Sequence, residues 1–361
     1  MTSIHPLQYL DPEGNKTQDL PNTCTSDWLL RCYHFMVLSR QFDTKAIALQ
    51  RTGQLGTYAS LLGSEAIDVP TALAMQKNDV LVPYYRNHAC QITRGVPLEE
   101  VLLYWGGDER GNAAEKMQQD FPNAVPIATQ SLHACGVASA FKIRNQKRAA
   151  VTLIGDGGTS KGDFMEALNV AGVWQLPVVF IINNNQWAIS VPRHIQSAAA
   201  QLADKGLAAG IPSMQVDGND PIAMQQAVQQ ALNRAYEGKG ATLIEAISYR
   251  LSDHTTADDA TRYRPSDELK VAWEKEPLKR LRNYLVSQQL WDESKEQALH
   301  EKISTLVQTA ADKYVAMPPQ PVSSMFDYLY FEPTEQLQEQ RDWAEVRAMT
   351  GGSHYQEGES S

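Results

Sequence analysis

The most regular hydrophobic pattern lies in the middle of the chain. Residues 149–154 form an apolar run, and the turn Gly155-Asp156-Gly157-Gly158 follows it. Residues 163–175 then show helical spacing before a second apolar run at 177–182. A run without polar alternation is what a strand covered on both faces requires, so strand, helix and strand read as one parallel βαβ unit. A further helix over 221–236 leads to another apolar strand at 242–248 and then to a polar loop at 253–264. This alternation predicts an α/β fold: a doubly wound, mostly parallel sheet flanked by helices, with helical N- and C-terminal extensions.

On the N-terminal side, Leu29, Leu30, Tyr33, Met36, Val37, Phe42, Ile47 and Leu49 recur at helical spacing. They predict a helix over 28–50, with Ser26 and Asp27 as caps and Gly53 near its end. A second helix is expected over 64–75. Residues 83–126 are irregular and rich in glycine and proline, apart from a short helix at 98–105; loops of that length usually serve function. Residues 130–144 carry a small-residue face (Ala134, Gly136, Ala138, Ala140), suited to a helix packed closely on a sheet. Residues 1–27 are polar and turn-rich, an arm expected to lie on the body or on a partner. Residues 266–316 are helical and charged, and 336–361 read as a tail, frayed over 350–361. The division is an arm (1–27), one domain (28–335) and a tail (336–361), with no internal repeat.

Composition narrows the partners. The 361 residues carry a formal charge of −10, the wrong sign for a surface that neutralises nucleic-acid phosphates. No apolar run approaches the roughly 20 residues of a membrane span. The first residues have neither a basic n-region nor an apolar h-region, so a cytoplasmic chain is expected. Cys24, Cys32, Cys90 and Cys135 are scattered without a CxxC pair, which suits reduced structural thiols.

The turn at 155–162, GDGGTSKG, fails as either familiar phosphate loop. A P-loop needs Gly-Lys-Ser/Thr, whereas here Ser160 precedes Lys161 and Gly162 follows. A dinucleotide fingerprint needs glycine where Ser160 stands and an acidic residue ending the next strand, which instead ends Asn183-Asn184-Asn185. A diphosphate held through a metal explains those asparagines better. The helix takes the chain some 20 Å from the turn, and the strand brings it back roughly 23 Å. Asp156 and Asn185 are thus expected at one edge. A carboxylate, an amide oxygen and a nearby backbone carbonyl are hard donors suited to magnesium or calcium, beside a helix N-terminus that favours the same anion. The plainer alternative is a tight βα turn with asparagines capping a strand end.

Residues 155–190, GDGGTSKGDFMEALNVAGVWQLPVVFIINNNQWAIS, resemble the thiamine diphosphate motif that begins GDG and ends NN. More closely, the chain is similar to the alpha subunit of the first component of bacterial 2-oxo acid dehydrogenase complexes, pyruvate and branched-chain types included. RTGQLGTYA, PYYRNHA, ERGN, GIPSMQVDGNDP and LIEAISYRLSDHTTADDATRYRP carry that resemblance, over about residues 28–335.

The resemblance implies a thiamine diphosphate-binding fold and a set of roles. Asp156 and Asn185 give side-chain oxygens, and Trp187 its backbone carbonyl, to Mg2+. Tyr85 and Arg86 contact the diphosphate; a guanidinium fork matches phosphate oxygens. Val125 and Ile127 fall on the segment that meets the aminopyrimidine and wedges the cofactor into a bent shape. Gly157 and Gly158 allow close backbone approach to the phosphates. Asn183 stands where some relatives have a phosphate-binding arginine. His254 falls on the loop that serves the diphosphate and proton transfer during acyl handover, a task suited to an imidazole titrating near neutrality. His88 and His133 are read as structural.

The family chemistry also needs a carboxylate against the pyrimidine, supplied by a second domain of similar size, for which one sheet of this length leaves no room. The resemblance therefore implies that the carboxylate comes from a beta subunit, in the family's usual α2β2 assembly. The implied reaction is oxidative decarboxylation of a small 2-oxo acid with acyl transfer to the lipoyl domain of the acyltransferase component. GDGGTSKGDF and GIPSMQVDGNDP resemble pyruvate-type chains, while PYYRNHA and VPIATQ resemble branched-chain types. Pyruvate is preferred, with branched-chain 2-oxo acids or acetoin as the alternative. An Mg-nucleotide-binding protein or a non-catalytic scaffold for the beta subunit are more remote readings.

Overall fold

A computed structural model describes residues 6–112 and 119–350. The chain divides into two compact units, Met1–Val315 and Ala316–Ser361. The first unit is built on a five-stranded parallel sheet of order β1-β2-β3-β7-β6. Its strands are β1 (Val80–Val82), β2 (Ala150–Gly155), β3 (Val178–Asn184), β6 (Ser213–Asp217) and β7 (Thr242–Ile247), while β4 (Trp187–Ala188) and β5 (Val191–Pro192) form a small antiparallel ribbon. The doubly wound, mostly parallel sheet read from the sequence is therefore present.

Alternate residues of the central strands feed two separate cores. Val151, Leu153, Val179, Ile181 and Ile244 face one core with helices Ser26–Arg51, Glu65–Ala74 and Pro221–Tyr236. Ala150, Ile154, Val178, Phe180, Ile182 and Leu243 face the other, with helices Thr129–Ile143 and Gly162–Val173. Burial on both faces is why β2 and β3 read as apolar runs without polar alternation, Thr152 of β2 being satisfied by its hydroxyl bond to the Val82 carbonyl. The edge strands are different. β1 has three residues between Asp79 and Pro83, and β6 alternates polar and apolar residues (SMQVD), so neither stands out in the sequence.

One local expectation is corrected. Thr25, rather than Ser26 or Asp27, caps the first helix: its Oγ1 accepts from Trp28 N at 3.3 Å, and the helix spans Ser26–Arg51. The described part of the N-terminal arm lies on the body. Leu7 exchanges backbone bonds with Gln215 and Asp217 on β6, and Asp220 Oδ2 accepts from Tyr9 N at 2.6 Å and Leu10 N at 2.8 Å. The four cysteines are buried and free. No described helix is long and apolar enough to cross a membrane.

The second unit contains a 3-10 turn, Val322–Phe326, and a helix, Glu335–Met349, where the sequence suggested a tail. Thr334 caps that helix through Leu337 N. Residues 351–361 of the expected frayed end lie outside the described residues.

Candidate active site

Register brings the expected residues to one edge of the sheet. Gly155 on β2 pairs with Asn183 on β3, and Asn184 pairs with Ile247 on β7, so the residues that follow each strand emerge together at the C-terminal edge. Ligands gather at that edge in open parallel sheets. A pocket of about 320 Å3 opens there, and Tyr85, Arg86, Ile127, Asp156, Asn185 and His254 line it with Gly157, Gly158 and Trp187. Val125 does not line it and is 53% exposed. The turn closed by Thr129 N on Pro126 O takes Val125 and Ile127 out of an extended alternation, so only the second reaches the pocket.

Asp156 is 1% exposed, and its Oδ2 has no hydrogen-bond partner. Burial pushes its acid up to about 6 against the pull of Arg250 and Arg193. An orphaned buried carboxylate oxygen is costly unless a ligand satisfies it. Asn185 Oδ1 accepts from Trp187 N at 3.2 Å, and the Trp187 carbonyl accepts a long bond from Arg250 Nη1 at 3.4 Å. Each of these oxygens keeps a second lone pair. Among the described residues, no three His, Cys, Asp or Glu side chains come together as metal ligands. The donor set is one carboxylate with neutral oxygens, which suits a hard cation that shares its shell with phosphate oxygens. Asn183 is turned elsewhere: Nδ2 donates to Ser64 Oγ at 2.8 Å and Oδ1 accepts from Ser248 Oγ at 2.7 Å.

The glycine turn is a 3-10 helix, Asp156–Ser160, and the α-helix begins only at Gly162. The α-helix expected after the turn is therefore present, with the tighter turn lying between its N-terminus and Asp156. A Cβ on Gly157 would stand 2.6 Å from Ala188 Cβ, and one on Gly158 would stand 2.6 Å from Ile154 Cγ1. Both positions need glycine for the chain's own packing, whatever binds above them.

Arg86 is buried at the pocket wall. Its Nη1 donates to the Ser60 carbonyl, and its Nη2 donates to the His254 carbonyl at 3.0 Å. Its guanidinium also lies 5.4 Å from the Tyr85 ring centroid. Behind it, Asn87 Oδ1 accepts from Tyr84 N at 3.1 Å while Asn87 Nδ2 donates to Asp68 Oδ1 at 2.9 Å.

His254 Nδ1 faces two guanidinium nitrogens, Arg86 Nη2 and Arg250 Nη1, each at 3.3 Å. Guanidinium groups only donate, so Nδ1 must accept and the proton of the neutral ring sits on Nε2. Burial, Arg86 and Arg250 hold the imidazole down to about 3, against an opposing pull from Asp258. The near-neutral titration expected for this residue is thus absent from the chain alone. The loop itself is knitted together: Asp258 Oδ2 accepts from His254 N at 2.9 Å and from the Tyr263 hydroxyl, whose oxygen accepts from Arg250 Nη2 at 2.7 Å. His88 lies outside the pocket lining, buried, with Nε2 at 3.1 Å from the Ala59 carbonyl, and His133 stands beside Phe121.

Comparison with known proteins fits this geometry. The family described as dehydrogenase E1 component matches residues 33–323. The chain belongs to that family. It is the alpha type of subunit of a 2-oxo acid dehydrogenase. It is 40% identical over 340 residues to a Mycoplasma genitalium protein named pyruvate dehydrogenase E1 component subunit alpha, covering 93% of this chain and 94% of the relative. A Mycobacterium tuberculosis 3-methyl-2-oxobutanoate dehydrogenase subunit alpha is 39% identical over 345 residues, covering 94% and 93%. A Staphylococcus aureus pyruvate dehydrogenase E1 component subunit alpha is 40% identical over 337 residues, covering 92% and 91%.

Several residues of this E1 chain's site were not singled out in its sequence. Arg250 is buried and ties the His254 ring to the Trp187 and Ile189 carbonyls. Its signal was weak: an arginine just past an apolar strand, three residues beyond its last strand position. Gln196 lines the pocket and donates to the Gly157 carbonyl at 2.9 Å, but it comes from a segment without periodicity.

Asp68 gives the E1 chain a testable pH signature. It is fully buried with Oδ2 unpaired, and burial pushes its acid up to about 8. An unfolded aspartate titrates near 3.9, so the folded chain holds a proton that the unfolded chain releases. The stability this contributes is present in full below about 4 and is lost as pH rises through about 8. Asp68→Asn mimics the protonated acid. Its thermal midpoint should exceed that of the parent by several degrees at pH 8 and match it near pH 4; parallel pH profiles would refute a neutral Asp68.

Proposed function

We propose that this E1 alpha chain binds thiamine diphosphate with Mg2+ at the β2–β3–β7 edge and serves, with a beta subunit in an α2β2 assembly, in the oxidative decarboxylation of pyruvate. The acyl group passes to the lipoyl domain of an acyltransferase component. The observation that carries the cofactor reading is the orphaned, buried Asp156 carboxylate in a pocket that Asn185 and Arg86 also line. Asp156, Asn185 and the Trp187 carbonyl would hold the metal, and Tyr85 and Arg86 the diphosphate. Ile127 would press on the body of the cofactor. When bound, the cofactor supplies a thiazolium carbon that acts as nucleophile and electron sink. His254 carries its proton on Nε2 and would move it during acyl handover. Pyruvate is favoured because GDGGTSKGDF and GIPSMQVDGNDP resemble pyruvate-type chains and two relatives at 40% identity bear that name.

Reconstitution tests this reading. The complex with its beta subunit should bind thiamine diphosphate and not ATP by calorimetry, and it should turn over pyruvate with a higher kcat/KM than 3-methyl-2-oxobutanoate. The reverse preference would move the substrate to the branched-chain class. The isolated chain should decarboxylate neither acid, because the carboxylate that serves the pyrimidine is expected from the beta subunit. Turnover by the purified chain alone would remove the need for a beta subunit.

A further inference from the structure

Behind the pocket wall, residues 58–62 form a strap between the first two helices, and one buried carboxylate holds it. Asp43 lies on helix Ser26–Arg51 and is 2% exposed. Its Oδ1 accepts from the Tyr58 hydroxyl at 2.9 Å and from Leu61 N at 2.8 Å, and its Oδ2 accepts from Ser60 Oγ at 2.6 Å. All three bonds go to the strap. Burial pushes the acid up to about 6, which leaves it ionised and acceptor-only at neutral pH, as three donors require.

The strap in turn grips both halves of the site. The Ser60 carbonyl accepts from Arg86 Nη1. Tyr58 N donates to Thr256 Oγ1 at 3.0 Å, Thr256 N donates to Tyr58 O at 2.8 Å, and Leu251 N donates to Leu62 O at 3.3 Å, so the loop that carries His254 is laced to the same five residues. We propose that Asp43, which does not itself line the pocket, is a positioning residue for the diphosphate end of the cofactor, acting through the strap on Arg86 and on the His254 loop. The inference builds on the cofactor reading above and adds a residue outside the pocket to it.

A general stability role would leave the same carboxylate buried, so the test needs a matched control. Asp79 is also fully buried and accepts from Ala149 N, Gln76 N and the Tyr236 hydroxyl, but at the opposite edge of the sheet. Thiamine diphosphate affinity would be measured by calorimetry at saturating Mg2+ on the complex with its beta subunit, alongside thermal unfolding. Asp43→Asn should weaken the affinity about tenfold or more, the scale of a lost bond to a charged group. Asp79→Asn should lower the unfolding midpoint comparably and leave affinity within about twofold of the parent, since its bonds lie far from the anion. Ser60→Ala keeps the carbonyl that Arg86 uses and removes one bond to Asp43; it should weaken affinity by a smaller factor, and it decides the matter if Asp43→Asn does not fold. Parent-like affinity in Ser60→Ala and Asp43→Asn, or equal losses in Asp43→Asn and Asp79→Asn, would overturn the positioning role. A parent complex that binds no thiamine diphosphate would instead overturn the cofactor reading on which this inference stands.

Discussion

Asp156→Ala is expected to weaken thiamine diphosphate binding by at least about 100-fold in the presence of Mg2+. Loss of an outer-shell partner typically costs about 10–100-fold in metal affinity, and Asp156 would be a direct ligand and the only anionic one in its set. The fold should survive the change. Asp156 Oδ2 makes no bond within the protein, burial already works against the charge, and the backbone bonds to the carboxylate come from the turn residues Asp156 and Gly157 themselves rather than from the sheet. Calorimetry and thermal unfolding on the same preparation separate the two effects. A variant that keeps its cofactor affinity would remove Asp156 from the metal site, and one that unfolds would show the carboxylate to be structural.

The electrostatics of the pocket point the same way. A chain with formal charge −10 gathers Arg86 and Arg250 around one imidazole and sets Arg250 and Arg193 close enough to pull on Asp156. Positive groups concentrated against the sign of the whole chain, in a partly enclosed cleft, create a field that favours a polyanion. Arg250 shows what the clustering costs: its own ionisation is lowered by burial and by Arg86. Buried like charges this close are poorly suited to stabilising a fold, and an anion bound between them would relieve the strain.

How much of this was legible in the sequence follows from where the physics leaves a one-dimensional trace. β2, β3 and β7 are covered on both faces, so their burial is written as mainly apolar stretches without polar alternation, Thr152 in β2 and Glu245 in β7 notwithstanding. Because β2 and β3 are adjacent and parallel, helix and strand lengths alone brought Asp156 and Asn185 to one edge, and the register of Gly155 with Asn183 agrees. β1 and β6 left no such trace, being short or polar at a sheet edge. Arg250, Gln196 and Asp43 were equally hidden. Each acts through hydrogen bonds to backbone carbonyls or to a distant strap, and neither periodicity nor motif spacing records such partners. His254 was visible through its loop, but its ionisation was not, because the two guanidinium groups that suppress it come from different elements.

That suppression sharpens what His254→Ala should do. If His254 transfers a proton during acyl handover, the variant should lose roughly 10²-fold or more in transfer to a free lipoyl domain, while first-step decarboxylation, followed with an artificial electron acceptor, falls far less. With Nδ1 facing both arginines, the ring has only Nε2 through which to exchange its proton. In the chain alone the ring is held neutral down to about 3, so a proton-transfer role requires that the positive field at Nδ1 be offset. An anion bound at Arg86 would supply that offset and raise the imidazole toward its ordinary range near 6.5. The transfer step should therefore show a His254-dependent pH profile that Asn at this position abolishes, whereas the first step should keep its profile. If His254 only helps to hold the diphosphate, both steps should fall together and excess thiamine diphosphate should restore them. Equal, cofactor-rescuable losses would leave His254 as a binding residue and assign the proton transfer to a group outside this chain.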